Sequence, residues 1–79
     1  MRVSIDMPHF SEDGDSRIEL WLKNVGDPVA RGDVIAIIES DKASMDLESF
    51  QAGTLVEIVH PAGDDVPAGE PIAWLEVDA

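Results

Sequence analysis

The chain of 79 residues has no cysteine and no tyrosine, and aromatic residues make up only 5% of it. Without cysteine there can be no disulfide, no thiolate nucleophile and no thiolate metal ligand. No apolar run approaches the roughly 20 residues of a membrane-spanning helix. The first residues lack the apolar stretch of a signal peptide. These absences predict a cytoplasmic protein that does not enter a membrane.

Positive charge is also scarce, because five Lys and Arg residues stand against 17 Asp and Glu, for a formal net charge of −12. Nucleic acids are excluded as partners, since phosphate contacts need clustered cations, and anionic membrane surfaces would repel the chain. The length allows one small domain with little room for a deep pocket. The 44% of hydrophobic residues is an ordinary value for a folded protein.

No group of residues composes a catalytic centre or a metal site. His9 and His60 have no ligand spacing to one another, and we expect both to be surface or turn residues. The acidic residues 13–15 with Glu19 do not match the calcium-loop pattern. No phosphate-binding glycine motif and no Ser/His/acid pattern occurs. We therefore predict that the chain is not an enzyme by itself.

The apolar residues recur with a period of two, which predicts β-strands and no long helix. The alternation is clearest at residues 3–7 and 18–22, whereas residues 34–38, 55–59 and 72–75 are short apolar runs that also favour strands. Glycine, proline and aspartate cluster between them and mark turns. Many short strands with such turns predict an all-β sandwich or barrel.

The chain repeats itself, because residues 26–39 align with residues 63–76 at an offset of 37 with 7 of 14 positions identical. The repeat predicts two similar halves that cover each other's apolar faces, with the N-terminal strand as the counterpart of residues 43–49. Before Ser16 the offset becomes 42, so about five residues are extra in the first half. They lie in the acidic segment 10–15, which is either a solvated loop or a partner contact.

Lys42 is one of only two lysines, and it follows an apolar strand at a polar turn. The pattern predicts a hairpin whose tip is formed by residues 40–43. The amine of Lys42 is then either a solvated turn charge or an acceptor for covalent modification. Lys23, the other lysine, is interpreted as a plain surface cation.

The segment Glu39-Ser40-Asp41-Lys42-Ala43-Ser44 resembles the lipoylation site of lipoyl domains, found mainly in the acyltransferase component of 2-oxo acid dehydrogenase complexes. The spacing of the Gly-Asp turns agrees, and the resemblance covers about residues 2–77. It implies a flattened β-barrel or sandwich of two four-stranded antiparallel sheets with quasi-two-fold internal symmetry. The lysine hairpin would belong to one sheet and both termini to the other.

The resemblance also implies a function, in which lipoic acid joined to Lys42 by an amide bond acts as a swinging arm for acyl groups and reducing equivalents. Asp41 and Ala43 would serve recognition and turn geometry. The expected partners are a lipoate ligase or lipoyl transferase, a thiamine-diphosphate-dependent 2-oxo acid decarboxylase, an acyltransferase core with coenzyme A, and dihydrolipoamide dehydrogenase. The segment that would help the decarboxylase recognise its carrier consists of Phe10, Ser11, Glu12, Asp13, Gly14 and Asp15.

Two alternatives share this fold, a biotinyl carrier and an unmodified acidic interaction module. Biotinyl sites typically have methionine on both sides of the lysine, whereas Asp41 and Ala43 flank Lys42 here. We expect residues 1–79 to be a single domain at the N-terminal end of a larger acyltransferase, or less so of a dihydrolipoamide dehydrogenase. The sequence departs from many relatives at Phe50, where they have proline, and at Ser16, where they have glycine. Serine at that position predicts a backbone that need not adopt a positive φ angle, or one that tolerates some strain.

Overall fold

The computed structural model describes residues 1–9, 15–40 and 43–77, and these residues form eight strands. The strands are β1 (Arg2–Asp6), β2 (Asp15–Trp21), β3 (Pro28–Val29), β4 (Val34–Glu39), β5 (Ser44–Glu48), β6 (Gly53–Ile58), β7 (Asp65–Pro67) and β8 (Pro71–Glu76). The described part of the chain contains no helix, and so none that is long and apolar enough to span a membrane.

The strands form two four-stranded antiparallel sheets, with the orders β1-β8-β6-β3 and β5-β4-β2-β7. The all-β prediction is confirmed, as is the placement of the β4–β5 hairpin and the two terminal strands in different sheets. The sheets do not close into a barrel, so of the two predicted forms the sandwich is right. One edge of each sheet is a very short strand that pairs on one side only. These strands are β3 with two residues and β7 with three.

The internal repeat is confirmed as a quasi-two-fold symmetry. Replacing each strand of the first sheet by its counterpart in the other half of the chain reproduces the order of the second sheet. The backbone bonds repeat too, since Gly26 N–H donates to Leu55 O at 2.7 Å and Gly63 N–H donates to Ile18 O at 2.7 Å. Gly26 and Gly63 have φ angles of 97° and 98°, in the left-handed region that favours glycine.

The core lies between the sheets and takes its side chains from both halves, so each half covers the other's apolar face. Among the four central strands, β4 and β8 each contain a bulge, at Ile35 and at Ile72, where the register skips one residue. The bulge turns two consecutive side chains inward, which explains the continuous apolar runs of these strands. The buried apolar residues are Ile5, Met7, Ile18, Val29, Ile35, Ala36, Ile38, Leu55, Val66, Ile72, Ala73, Leu75 and Val77.

The repeat is broken where the start of β6 approaches the end of β8. A Cβ atom on Gly53 would lie 2.5 Å from the carbonyl oxygen of Glu76, too close for any side chain. Its counterpart in the first half is Ser16, whose side chain is accommodated and buried. No described residue other than glycine has a positive φ angle, so the expectation for the backbone at Ser16 is confirmed.

Candidate functional site

The predicted hairpin is formed by β4 and β5, and β4 fixes it to the core. β4 is paired on both sides, and Ile35, Ala36 and Ile38 in it have no exposed surface. The edge strand β5 is held in register by the pairs Ile38–Met45 and Glu39–Ser44. The end of the hairpin is therefore supported by a rigid central strand.

The described chain closes at the residues next to the predicted attachment site. Ser40 N–H donates to Ala43 O at 2.8 Å, and the Ser40 hydroxyl donates to the same oxygen at 3.2 Å. Ala43 and Ser44 are exposed to solvent. Asp41 and Lys42 themselves lie outside the described residues. The strands and the closing bonds of the predicted hairpin are thus present, and the roles of residues 41–43 stay predictions.

The sheet surface at the base of the hairpin is acidic, and the cation described there, Arg17, is paired with a carboxylate. Arg17 lies opposite Glu39, and its Nε donates to Asp65 Oδ1 at 3.1 Å. The hydrogen bond with Asp65, followed by its charge, raises the pKa of the Arg17 guanidinium, and Glu39 adds a smaller contribution. The Ser44 hydroxyl donates to Glu19 at 3.4 Å on the same surface. A partner that approaches the hairpin meets carboxylates around its base.

The predicted recognition segment, residues 10–15, joins β1 in one sheet to β2 in the other. Residues 10–14 and the side chain of Asp15 lie outside the described residues. β2 runs antiparallel to β4 with Arg17 opposite Glu39, so the chain leaves this segment at the hairpin end of the sheet. The backbone therefore brings the exit of the segment next to the hairpin, as the family resemblance implies.

His60 belongs to a cluster that the sequence analysis missed. Its Nδ1 lies 3.0 Å from Asp64 Oδ2 and its Nε2 lies 2.6 Å from Glu70 Oε2. The signal that could have found it is the repeat, which aligns His60 with Lys23 and both carboxylates with acidic residues. Within the described ranges no group of three His, Asp or Glu residues is arranged to hold a metal ion.

The surface depressions found among the described residues are shallow and lie away from the hairpin. One is lined by Met1, Val3, Phe50 and Val77 with Arg31 at its side, next to the paired terminal strands. Its lining offers apolar side chains and a single cation, without a nucleophile or a base beside it. The hairpin end of the sheet is therefore the better candidate for the functional site.

A sandwich of two related four-stranded sheets, with a solvent-exposed hairpin on a central strand, defines the class of biotinyl- and lipoyl-type domains. The family model described as "Biotin-requiring enzyme" (Biotin_lipoyl) matches residues 3–75. The chain belongs to this family. The family name joins biotinyl and lipoyl domains, so membership alone leaves open which group is carried.

Two of the individual relatives are named as components of pyruvate dehydrogenase. The chain is 46% identical over 68 residues, 82% of its length, to 15% of the dihydrolipoyllysine-residue acetyltransferase component of the pyruvate dehydrogenase complex from Rhizobium meliloti. It is 45% identical over 82 aligned positions, 99% of its length, to 17% of the pyruvate dehydrogenase E1 component subunit beta from the same organism.

The solved structure of the lipoyl domain of the 2-oxoglutarate dehydrogenase complex from Azotobacter vinelandii has the same fold, with a TM-score of 0.80. The sequences are 33% identical, and the match covers 98% of this chain and 99% of that domain. In contrast, the chain spans only 13–19% of the length of the curated relatives it matches. It therefore corresponds to only a part of each of those proteins.

Proposed function

We propose that the chain is a lipoyl carrier domain and that lipoic acid is attached to Lys42. The segment Glu39-Ser40-Asp41-Lys42-Ala43-Ser44 carries this proposal, because its first residue ends β4 and its last residue begins β5. The hairpin suits an attached group. Ser40 and Ala43 bind the two strands together, and the exposed Ala43 and Ser44 leave this end open to an attaching enzyme.

In the proposed mechanism the chain presents the group and is recognised by its partners. Bound lipoate would supply a dithiolane that takes up acyl groups and electrons, so no cysteine of the chain is needed. The buried strand β4 holds the hairpin in one orientation toward each partner. Attachment to the amine removes one positive charge, which changes the formal net charge from −12 to −13. Asp41 and Ala43 would serve as recognition residues for the lipoate ligase or lipoyl transferase.

The proposed partners are those of a 2-oxo acid dehydrogenase complex: the thiamine-diphosphate-dependent decarboxylase, the acyltransferase core with coenzyme A, and dihydrolipoamide dehydrogenase. The segment of residues 10–15 would contact the decarboxylase. The start of β2, which follows this segment, lies beside the end of the hairpin and supports this role. We propose an acyltransferase component as the parent chain. The similarity to a decarboxylase β subunit makes that subunit the second candidate for the parent.

The attachment site is tested by co-expressing the chain with a lipoate ligase and measuring its intact mass. We expect a mass increase of one lipoyl group in the wild type and in Lys23→Arg, and none in Lys42→Arg. Both variants keep the positive charge and differ only in which of the two lysines is lost, so Lys23→Arg is the matched control.

A parallel incubation with biotin ligase tests the biotinyl alternative. Addition of biotin and not of lipoate to Lys42 would replace the proposal by a biotinyl carrier. An unchanged mass with both ligases would indicate an unmodified interaction module. The lipoylated chain should then be reductively acylated by a purified pyruvate dehydrogenase E1 component, and absence of this reaction with any 2-oxo acid decarboxylase would contradict the carrier function.

A further inference from the structure

His60 bridges two turns of the second half of the chain. One ring nitrogen faces Asp64, in the turn between β6 and β7, and the other faces Glu70, in the turn between β7 and β8. A ring that meets a carboxylate on each side donates from both nitrogens and is an imidazolium ion. The side chain is only 24% exposed, so both bonds are partly shielded from water.

The first half of the chain uses the equivalent residues differently. Asp27 there accepts a bond from the backbone N–H of Asn24 at 2.8 Å, and Asp33 accepts one from Ala30 N–H at 2.9 Å. Both carboxylates therefore cap their own turns. The equivalent of His60 is Lys23, whose amine lies 3.6 Å from Asp33 alone.

Two prolines explain why the second half differs. Pro61 and Pro67 stand where the first half has Asn24 and Ala30, and proline has no backbone N–H to donate. Asp64 and Glu70 thus lose the donors that cap the first-half turns, and the His60 ring takes their place. Two separate local caps are replaced by one side chain that ties two turns together.

The two turns that His60 joins form hydrogen bonds and an ion pair with the chain on both sides of residues 10–14. On the entry side, Met7 N–H donates to Glu70 O, and Gly69 N–H donates to Met7 O, both at 2.9 Å. On the exit side, Ile18 N–H donates to Asp64 O at 3.0 Å, and Arg17 pairs with Asp65.

We propose that His60 is a positioning residue for decarboxylase recognition, because its bridge between Asp64 and Glu70 fixes the two anchor points of residues 10–15 relative to each other. This inference rests on the proposed carrier function. Besides the two carboxylates, the indole of Trp21 donates to the His60 carbonyl at 2.9 Å from β2. On the entry side, the ring of His9 lies next to Gly69.

The test compares His60→Gln with Lys23→Gln, which removes the equivalent cation from the other half of the molecule. Both chains are lipoylated on Lys42 and used as substrates of pyruvate dehydrogenase E1 in reductive acylation. We expect His60→Gln to raise KM about three- to tenfold with little change in kcat, since a tenfold change is about 1.4 kcal/mol of recognition. Lys23→Gln should leave KM unchanged.

The pH profile separates positioning from general destabilisation. The wild-type KM should rise as the pH increases above the ordinary histidine pKa of about 6.5 and the His60 ring loses its proton, and the profile of His60→Gln should lack this component. An equal KM and an equal profile in wild type and His60→Gln would overturn the inference. So would an equal rise of KM in both glutamine variants. A wild type that is not acylated at all would instead contradict the proposed function.

A second readout uses the unmodified domain and requires no activity. In His60→Gln, amide hydrogen exchange should become faster at Met7, Gly69 and Ile18, which are bonded to the two turns. The amides of Gly32 and Ser49, which form the equivalent contacts in the other half, serve as internal controls. If His60→Gln does not fold, Glu70→Gln removes one charge of the bridge and should give the same pattern. Unchanged exchange at all three amides would overturn the inference.

Discussion

At the scale of single residues, two prolines decide what a pair of carboxylates does. The acidic residues of the two halves align by the repeat, and those of the first half cap turns through backbone N–H groups. Where Pro61 and Pro67 remove these groups, His60 forms two charged hydrogen bonds instead. The turns of the first half are thus each capped by their own carboxylate, whereas the equivalent turns of the second half are linked by the charged side chain of His60.

The bridge makes folding stability depend on pH. The hydrogen bond with Asp64 is the largest cause that raises the pKa of His60 in the folded chain. Desolvation by burial lowers this pKa, and the hydrogen bond with Glu70 raises it further. The protonated ring therefore stabilises the fold fully below the unfolded-state pKa, about 6.5. This contribution is lost as the pH rises through the higher pKa of the folded state. We expect the urea midpoint of the wild type to fall as the pH rises above about 6.5.

The same titration with His60→Gln serves as the control. Its urea midpoint should be lower than that of the wild type at the acid end and should change less with pH. The difference between the two curves isolates the contribution of His60. A constant difference across the range would show that the bridge does not titrate with folding.

At the scale of elements, the symmetry of the sandwich is interrupted where β6 meets the end of β8. Gly53 has the carbonyl oxygen of Glu76 in the space of a Cβ atom, whereas Ser16 at the equivalent point of β2 carries a buried side chain. The backbones of β6 and β8 thus approach more closely there than those of β2 and β4. Glycine is required at one of the two equivalent positions only.

We expect Gly53→Ala to lower the free energy of unfolding by about 1–3 kcal/mol, because the new methyl group forces backbone atoms apart. Ser16→Ala at the equivalent position should cost less than about 1 kcal/mol, since it removes a hydroxyl from a space that already holds a Cβ atom. Urea denaturation of both variants measures the two costs. Equal losses would mean that the close approach at Gly53 relaxes without strain.

Several elements could be predicted from the sequence, and the exceptions have physical causes. The apolar periodicity and the repeated glycine turns predicted the main strands, the hairpin and the two related halves. Strands β3 and β7 are too short to show a period of two, and their pairing depends on distant strands. The bulges at Ile35 and Ile72 hide the alternation of the central strands, so their facing could not be derived.

The candidate site was predictable in part for a related reason. The motif around Lys42 is contiguous, so it could be recognised in the sequence, and the closing residues Ser40 and Ala43 are where it predicts them. The His60 bridge joins residues from separate turns through their side chains. The repeat aligns these residues with Lys23 and two acidic residues, and the missing N–H groups of Pro61 and Pro67 become informative once the first-half turns are known.

At the scale of the whole molecule, the formal net charge of −12 repels itself. Several of the described ion pairs, such as Arg17–Asp65 and Arg2–Glu76, are exposed. Exposed pairs are typically worth less than about 1 kcal/mol each. We therefore expect self-repulsion between the carboxylates to outweigh these pairs.

We expect sodium chloride to stabilise the fold, because salt reduces the screening length from about 10 Å at 0.1 M to about 3 Å at 1 M. The expected gain of roughly 1 kcal/mol corresponds to about 4–8 °C in Tm. The variant Glu48→Lys changes the net charge to −10 at an exposed position of β5 and should gain less from salt. A Tm that falls with salt would mean that the ion pairs dominate.

The backbone bond that closes the hairpin has a twin at the chain ends. Val77 N–H donates to Met1 O at 2.7 Å, just as Ser40 N–H donates to Ala43 O at 2.8 Å. The two halves therefore have two equivalent connections. The chain runs on between Ser40 and Ala43, whereas Val77 and Met1 are linked by a hydrogen bond only. A circular permutant that joins the present ends and begins after residue 42 would exchange the two connections while keeping every strand pair. The hairpin end that is proposed to carry a cofactor on one sheet is therefore equivalent to the place on the other sheet where Met1 and Val77 meet.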